Sequence, residues 1–244
     1  MPGGFAELAD QWLGLFSSTL GDYGPIGVQI LKIIWINVLL SGDNAVVIAL
    51  ACRNLPDKLR RKGILWGVLG AIILRIVLTF FAMSLLEYPW IKLVGAALLI
   101  WIGIKLIVGE EHVEHEVKAS DRLFSAVWTI LIADLVMSLD NVMAVTAAAK
   151  GDLPLIIFGL VISIPLVIFG SQIIMRLIER LPLLVPAGGG LLGYIAGDLA
   201  TDDPVATPWI EAYVPLVDWL APIVGIAVVV VPGLWLARRR RPVG

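Results

Sequence analysis

The segment Asn37-Val38-Leu39-Leu40-Ser41-Gly42-Asp43-Asn44 sets polar side chains into a run of otherwise apolar residues. A second segment, Asp134-Leu135-Val136-Met137-Ser138-Leu139-Asp140-Asn141, repeats the pattern Asn/Asp-x-x-x-Ser-x-Asp-Asn later in the chain. On a helix the first, fifth and eighth positions of this pattern share one face. Asp43 and Asp140 lie about 120° away from that face. They join the same site only if the helix unwinds locally, which Gly42 favours in the first segment, or if the site spans two faces.

The chain as a whole is too apolar for a water-soluble protein. Hydrophobic residues make up 59% of its 244 residues and charged residues only 16%, against about 45–50% and about 25% in soluble domains. The net charge of −2 offers no basic field for nucleic acid, and the single cysteine excludes a disulfide framework or a multi-cysteine metal site. The composition predicts an integral membrane protein.

A helix that crosses a bilayer needs about 20 predominantly apolar residues. The predicted spans are Ile26–Ala51, Gly63–Leu86, Pro89–Val108, Leu123–Ala149, Leu153–Ile178, Leu183–Ala200 and Tyr213–Ala237. Residues 1–25 carry apolar side chains at helical spacing, which predicts an amphipathic helix lying on the membrane. The predicted fold class is therefore an all-α polytopic membrane protein with seven transmembrane helices.

Basic residues fall almost entirely on one side of these spans. Thirteen of the 18 Lys and Arg residues lie in the first, third and fifth connections and in the C-terminal tail, whereas the other side has only Lys150. Cytoplasmic loops are enriched in Lys and Arg. We therefore expect a multi-pass protein of the inner (plasma) membrane, with its N-terminus outside and its C-terminus in the cytoplasm.

The two polar segments belong to a larger internal repeat. In the third and sixth spans, Gly95–Leu106 aligns with Gly188–Leu199. The aligned spans cross the membrane in opposite directions, which predicts a 3+3 inverted repeat with a seventh helix added. The predicted organisation is an interfacial segment at 1–25, repeats at 26–108 and 123–200, a cytoplasmic His/Glu loop at 109–122, and the seventh helix with a basic tail at 201–244.

Acids inside these spans are the candidate ligands of a cation. An Asp at the centre of a transmembrane helix costs about 2.5–3.5 kcal/mol on insertion scales, so its retention points to a function. The predicted metal ligands are Asn37, Asp43, Asn44, Asp134, Asp140 and Asn141. Their oxygens suit Mg²⁺, Ca²⁺ or Mn²⁺ at the midplane, where the repeats meet. Two other interpretations stay open: hydrogen bonds that staple helices together, and a proton relay without metal.

Other charged residues in the spans suggest how such a site would work. Arg75 is the one cation in the middle of a span, and we expect it to pair with a carboxylate when the ion is absent, unless it reaches towards an interface. Burial alternatively favours the neutral acid at one Asp, and competition between metal and proton would then give proton-coupled exchange. Lys105 and Asp198 occupy equivalent positions in the two repeats. They are either residues near span ends that reach towards the membrane surface, or a pair that gates the pathway.

The loop at 109–122 holds both histidines, His112 and His115, among four glutamates. Such a cluster is either a solvated acidic loop or a place where metal ions collect at the mouth of a pathway. Because both histidines lie in one loop, the chain has no Ser-His-Asp or Cys-His set. We therefore do not expect an enzyme.

The two Asp-Asn segments resemble those of the TerC family of membrane proteins, and most closely its short YjbE-like branch. The resemblance covers roughly residues 26–236. It implies a seven-span fold, a link to metal-ion homeostasis, and a match of the candidate ligands to the two family motifs. Several bacterial members are associated with manganese efflux and others with tellurite resistance. Carriage of an oxyanion would need cationic groups in the core, where only Arg75 is available.

The predicted function is export of divalent metal cations, with Mn²⁺ as the leading candidate, by alternating access of the two repeats. Its predicted partners are the lipid bilayer, the transported cation and protons, with no permanently bound cofactor. Two alternatives stay open. One is a Ca²⁺/H⁺-type exchanger that uses the same oxygen chemistry, and the other is a non-transporting membrane factor in metal homeostasis or tellurium resistance.

Overall fold

The computed structural model describes the backbone of residues 42–86, 88–109, 119–148, 153–208, 210 and 217–239. The predicted surface segment 1–25, Asn37, His112 and His115 lie outside these residues. Within them the regular structure is entirely helical: α1 (Gly42–Cys52), α2 (Asp57–Leu86), α3 (Ile91–Val108), α4 (Ala119–Ala148), α5 (Leu153–Arg180), α6 (Leu184–Thr201) and α7 (Val217–Arg239). Four stretches of the described chain are long and apolar enough to cross a membrane, at 57–81, 91–108, 156–180 and 219–239.

Each predicted span overlaps one of these helices, but α2 begins earlier than the hydropathy indicates. Its first turns are charged, and the amides of Leu59 and Arg60 donate to the Pro56 carbonyl at 2.8 Å each. Hydropathy identifies the apolar part of a helix and does not detect a charged extension beyond the bilayer. Helix α2 therefore starts at Asp57 rather than at Gly63.

The helices pack in two groups around a shared apolar core. Helix α2 lies along α4, α1 packs on α5, and these four helices also contact one another. Helices α3, α6 and α7 form the second group, with α6 lying along both of its partners. Contacts between the groups are less extensive. They are bridged by buried side chains such as Leu50, Leu99 and Leu192.

Helices α6 and α7 approach each other so closely that only glycine fits between them. A Cβ atom at Gly193 would collide with the backbone of Gly225, and one at Gly197 with the backbone of Ala221. Small residues allow this kind of backbone contact between membrane helices. The glycines of α6 thus explain how α7 is held in the second group.

A buried carboxylate ties the start of α3 to the end of α6. Asp203 is fully buried. It accepts hydrogen bonds from the amides of Trp90 (3.3 Å), Leu93 (3.3 Å) and Val205 (2.9 Å). The chain enters α3 through Trp90, which has a left-handed φ of 73°. The first amides of a helix lack partners within the helix, so Asp203 acts as a cap supplied by a distant loop.

We expect Asp203→Ala to lower the free energy of unfolding by about 2 kcal/mol, because charge-assisted bonds to buried amides are lost. Thermal unfolding of the purified protein in detergent measures the change. Asp202→Ala is the matched control, since Asp202 is exposed and its carboxylate lies 3.7 Å from the Lys92 ammonium. Equal losses in the two variants would contradict the capping role.

Candidate functional site

Two charged residues of opposite sign lie near the middle of the longest helices. Asp134 stands at the midpoint of the 30-residue helix α4, about 23 Å along the helix axis from its first residue. Arg75 stands slightly beyond the midpoint of the 30-residue helix α2. Both side chains are buried, at 5% and 7% exposure. In a helix that crosses a membrane, the middle is the depth at which a charge is most costly.

Arg75, Asp134 and Ser138 form a closed ring of polar contacts. Nη2 of Arg75 lies 2.6 Å from Oδ1 of Asp134. Nε of Arg75 donates to Oγ of Ser138 at 3.0 Å, and that hydroxyl donates to Oδ2 of Asp134 at 3.2 Å. Asp134 and Ser138 are one helical turn apart, which places both on the same face of α4. Each oxygen of the buried carboxylate therefore has a partner.

Glycines of α2 bring this arginine within reach of α4. A Cβ atom at Gly67 would lie 2.6 Å from Cδ1 of Ile130, and one at Gly70 would lie 2.8 Å from Cδ2 of Leu131. The two helices therefore pack tightly about one to two turns before Arg75. That approach sets the spacing at which the guanidinium meets Asp134.

The first segment contributes Asp43 and Asn44 from the first turn of α1. Asn44 is buried and Asp43 half-buried, and the Asn44 amide donates to Oδ1 of Asp43 at 2.7 Å. The Asp43 carboxylate is within electrostatic range of both Arg75 and Asp134. One cation and two acids thus share this region of the bundle.

A small cavity of about 20 Å³ opens beside the ion pair. Its polar lining comes from Asn44, Arg75, Asp134 and Ser163, and its apolar lining from α1, α2 and α5. A space of this size holds about one water molecule or one bare ion. Ser163, whose hydroxyl donates to the Leu160 carbonyl at 2.7 Å, escaped the sequence prediction because it is an isolated serine in an apolar helix.

The other predicted ligands lie elsewhere or outside the described residues. Helix α4 continues without interruption through Asp140, so the second segment is not unwound. Asn141 is half-buried on the same helix, two turns beyond Asp134. Asn37 and the side chain of Asp140 are outside the described part of the chain. Within that part, no three His, Cys, Asp or Glu side chains gather closely enough to hold a metal ion.

The proposed gate residues occupy different surroundings. Nζ of Lys105 donates to the hydroxyls of Ser125 (3.1 Å) and Thr129 (3.4 Å) and lies 5.6 Å from the Trp101 ring centre. It lines a second small cavity with Arg53, which lies in the α1–α2 connection and whose guanidinium pKa is lowered by burial. Asp198 is exposed on α6. A gating role for Lys105 and Asp198 stays a prediction.

Comparisons with known proteins assign the chain to a family. The profile described as "Integral membrane protein TerC family" matches residues 24–241. The uncharacterized membrane protein YjbE of Bacillus subtilis (strain 168) is 39% identical over 208 residues, which cover 85% of this chain and 94% of the relative. YceF, an uncharacterized membrane protein of the same strain, is 31% identical over 188 residues, or 73% of this chain and 71% of the relative.

A more distant match carries a functional name. The tellurium resistance protein TerC of Alcaligenes sp. is 26% identical over 100 residues, which cover 37% of this chain and 29% of that protein. No solved structure matches the chain. The profile match extends over almost the whole chain and includes both Asp-Asn segments. This chain is therefore a member of the integral membrane protein TerC family.

Proposed function

We propose that this protein exports divalent metal cations across the inner membrane, with Mn²⁺ as the leading candidate substrate. The observation that carries the proposal is the buried Arg75–Asp134 pair at mid-helix, with the Asp43 carboxylate of α1 within electrostatic range of both residues. Acids are retained at such depth where they bind ions or protons. Carboxylate and amide oxygens are the ligands preferred by hard divalent cations.

The charges in this cluster suggest a mechanism of exchange. Arg75 neutralises Asp134 in the described arrangement, with their charged groups 2.6 Å apart. Two carboxylates balance the charge of one divalent cation once the guanidinium has moved away. Arg75 then acts as a resident counter-charge that occupies Asp134 between transport events. Protons that compete for the same acids offer a second way to neutralise the site when no metal ion is bound.

The packing of the helices supports alternating access by an inverted repeat. Helix α1 packs on α5, and α4 packs on α2. A two-fold relation that exchanges α1 with α4 and α2 with α5 produces these reciprocal contacts. The same relation aligns the two Asp-Asn segments, and binding sites in inverted-repeat folds lie where the repeats meet. Seven spans, with the N-terminus outside, complete the proposed topology.

A non-transporting role in tellurium resistance has support from one distant relative's name. The buried cluster argues against direct carriage of an oxyanion. Its single cation, Arg75, is already engaged by Asp134 and Ser138. An anion would have to displace a carboxylate in the interior, where like charges repel strongly.

Transport by the purified protein in liposomes tests the proposal. With a Mn²⁺-sensitive dye on one side, we expect a protein-dependent flux that Asp43→Asn and Asp134→Asn each reduce at least tenfold, because loss of a ligand weakens cation binding by about that factor or more. Asp140→Asn tests the acid of the second segment. Asp121→Asn is the matched control, an exposed acid on the same helix as Asp134.

The outcomes separate the candidate functions. Flux that is unchanged in all of the site variants would contradict the ligand assignment. Absence of flux in the unaltered protein, under gradients of either direction, would favour a non-transporting factor. Ca²⁺ that carries the flux in place of Mn²⁺ would favour the Ca²⁺/H⁺-type exchanger.

A further inference from the structure

A groove separates α2 from α5 at the ends of these helices that carry most of their charged residues. Two adjoining cavities of about 440 Å³ and 320 Å³ make up this α2–α5 groove. Arg61, Ile64 and Gln172 line both cavities. Along α2 the lining residues follow helical spacing, so that one face of the helix forms a continuous wall.

The rim of the groove is basic, and its interior is apolar. Three arginines, Arg60, Arg61 and Arg176, line the smaller cavity together with two acids, Asp57 and Glu179. Ile64, Leu65 and Ile168 line the larger one. The Gln172 side chain lies at the boundary between the two. A molecule that fills the whole groove must therefore be anionic at one end and apolar along its length.

Two of the three arginines are available to a ligand. Nη1 of Arg60 lies 3.0 Å from Oε1 of Glu179 and 3.2 Å from Oδ1 of Asp57. These pairs neutralise Arg60, and the pair with Glu179 joins α2 to α5. Arg61 and Arg176 are exposed and form no ion pair with any residue in the described ranges. Guanidinium groups bind phosphate oxygens in a bidentate manner.

We propose that the α2–α5 groove binds an anionic glycerophospholipid, with the headgroup phosphate at Arg61 and Arg176 and an acyl chain along Ile64, Leu65 and Ile168. Basic pockets between transmembrane helices on the cytoplasmic side bind anionic headgroups. The groove lies far from the ion pair, since Arg61 and Arg75 are about 21 Å apart along α2. The bound lipid would hold two helices of the same group together at one membrane surface. This inference goes beyond the proposed transport function and does not depend on it.

Thermal unfolding of the full-length protein in a neutral detergent tests this site. Titration with short-chain phosphatidylglycerol is expected to raise the melting temperature in a saturable manner, whereas phosphatidylcholine of the same chain length is not. The double variant Arg61→Gln/Arg176→Gln is expected to weaken the apparent affinity for phosphatidylglycerol at least tenfold. Each variant is compared with its own lipid-free baseline, so a change in basal stability does not affect the result.

The matched control is Lys62→Gln/Arg180→Gln, which removes two exposed charges from the same two helices without touching the groove. It is expected to retain the affinity of the unaltered protein. An equal loss in both double variants would overturn the site in favour of general attraction to a basic surface. Inorganic phosphate that protects as well as the lipid, or phosphatidylcholine that protects equally, would also overturn it.

Discussion

Replacing Arg75 with glutamine is expected to lower the free energy of unfolding by about 3–5 kcal/mol, because the change leaves a buried carboxylate without its cation. The Arg75–Asp134 pair has a charged contact of 2.6 Å and almost no exposure to solvent. Chemical unfolding of the purified protein in detergent measures the loss. Arg61→Gln, an exposed change in the same helix, is the control and should cost less than about 0.5 kcal/mol.

A double-mutant cycle shows whether the loss belongs to the pair. Arg75→Gln/Asp134→Asn removes both charges and is expected to be more stable than Arg75→Gln alone, since no unpaired charge stays buried. Effects that simply add would contradict the coupling seen in the geometry.

The same variants separate a structural ion pair from a cation site. If Arg75 competes with a divalent cation for Asp134, Mn²⁺ should stabilise Arg75→Gln more than it stabilises the unaltered protein. Arg75→Gln/Asp134→Asn should lose that gain, because one of the two acids has become an amide. A Mn²⁺ effect that is identical in all three proteins would show that the pair holds the fold together and binds no substrate.

Gly225→Ala is expected to cost more than about 3 kcal/mol, which is the upper end for overpacking against side chains. The added Cβ would meet the backbone of Gly193, which cannot rotate aside. Helix α7 would have to move away from α6, and contacts along both helices would be lost. Gly193→Ala should have a similar effect from the opposite helix. Yield and thermal unfolding in detergent measure both variants.

Gly170→Ala is the matched control for the glycine variants. A Cβ at Gly170 would lie 3.4 Å from Cβ of Ala45, an ordinary contact. Because alanine favours a helix over glycine by about 1 kcal/mol, this variant should be neutral or stabilising. A similar loss at all three positions would contradict the backbone contact between α6 and α7.

The hydropathy pattern and the few charged residues within the apolar segments predict the helix positions and part of the site. The apolar segments locate the helices, because a long apolar segment is stable only when it is buried away from water, and in a bilayer it must satisfy its backbone hydrogen bonds within a helix. The position of Arg75 in a span predicts a partner for it, and the spacing of Asp134 and Ser138 predicts a shared face. Ser163 carries no such signal. It reaches the cavity only through the packing of α5 against α1 and α2.

Sequence patterns do not predict a helix cap that comes from a residue far away in the chain. Asp203 binds backbone amides that lie 113 and 110 residues away along the chain. Every residue type except proline offers a backbone N–H, so no side chain at Trp90 or Leu93 marks the contact. The two-group packing is likewise hidden, because the sequence repeat places α3 with α1 and α2, whereas the folded chain places it with α6 and α7.

The two-group packing indicates where spectroscopic labels would report on the proposed transport cycle. Helices joined by backbone contact, as α6 and α7 are, resist relative displacement, whereas the sparser contacts between the groups yield more readily. A pair of spin labels on α6 and α7 is therefore expected to keep one distance throughout. A pair on α2 and α7 crosses the boundary between the groups and is the one expected to change its distance with the ion gradient.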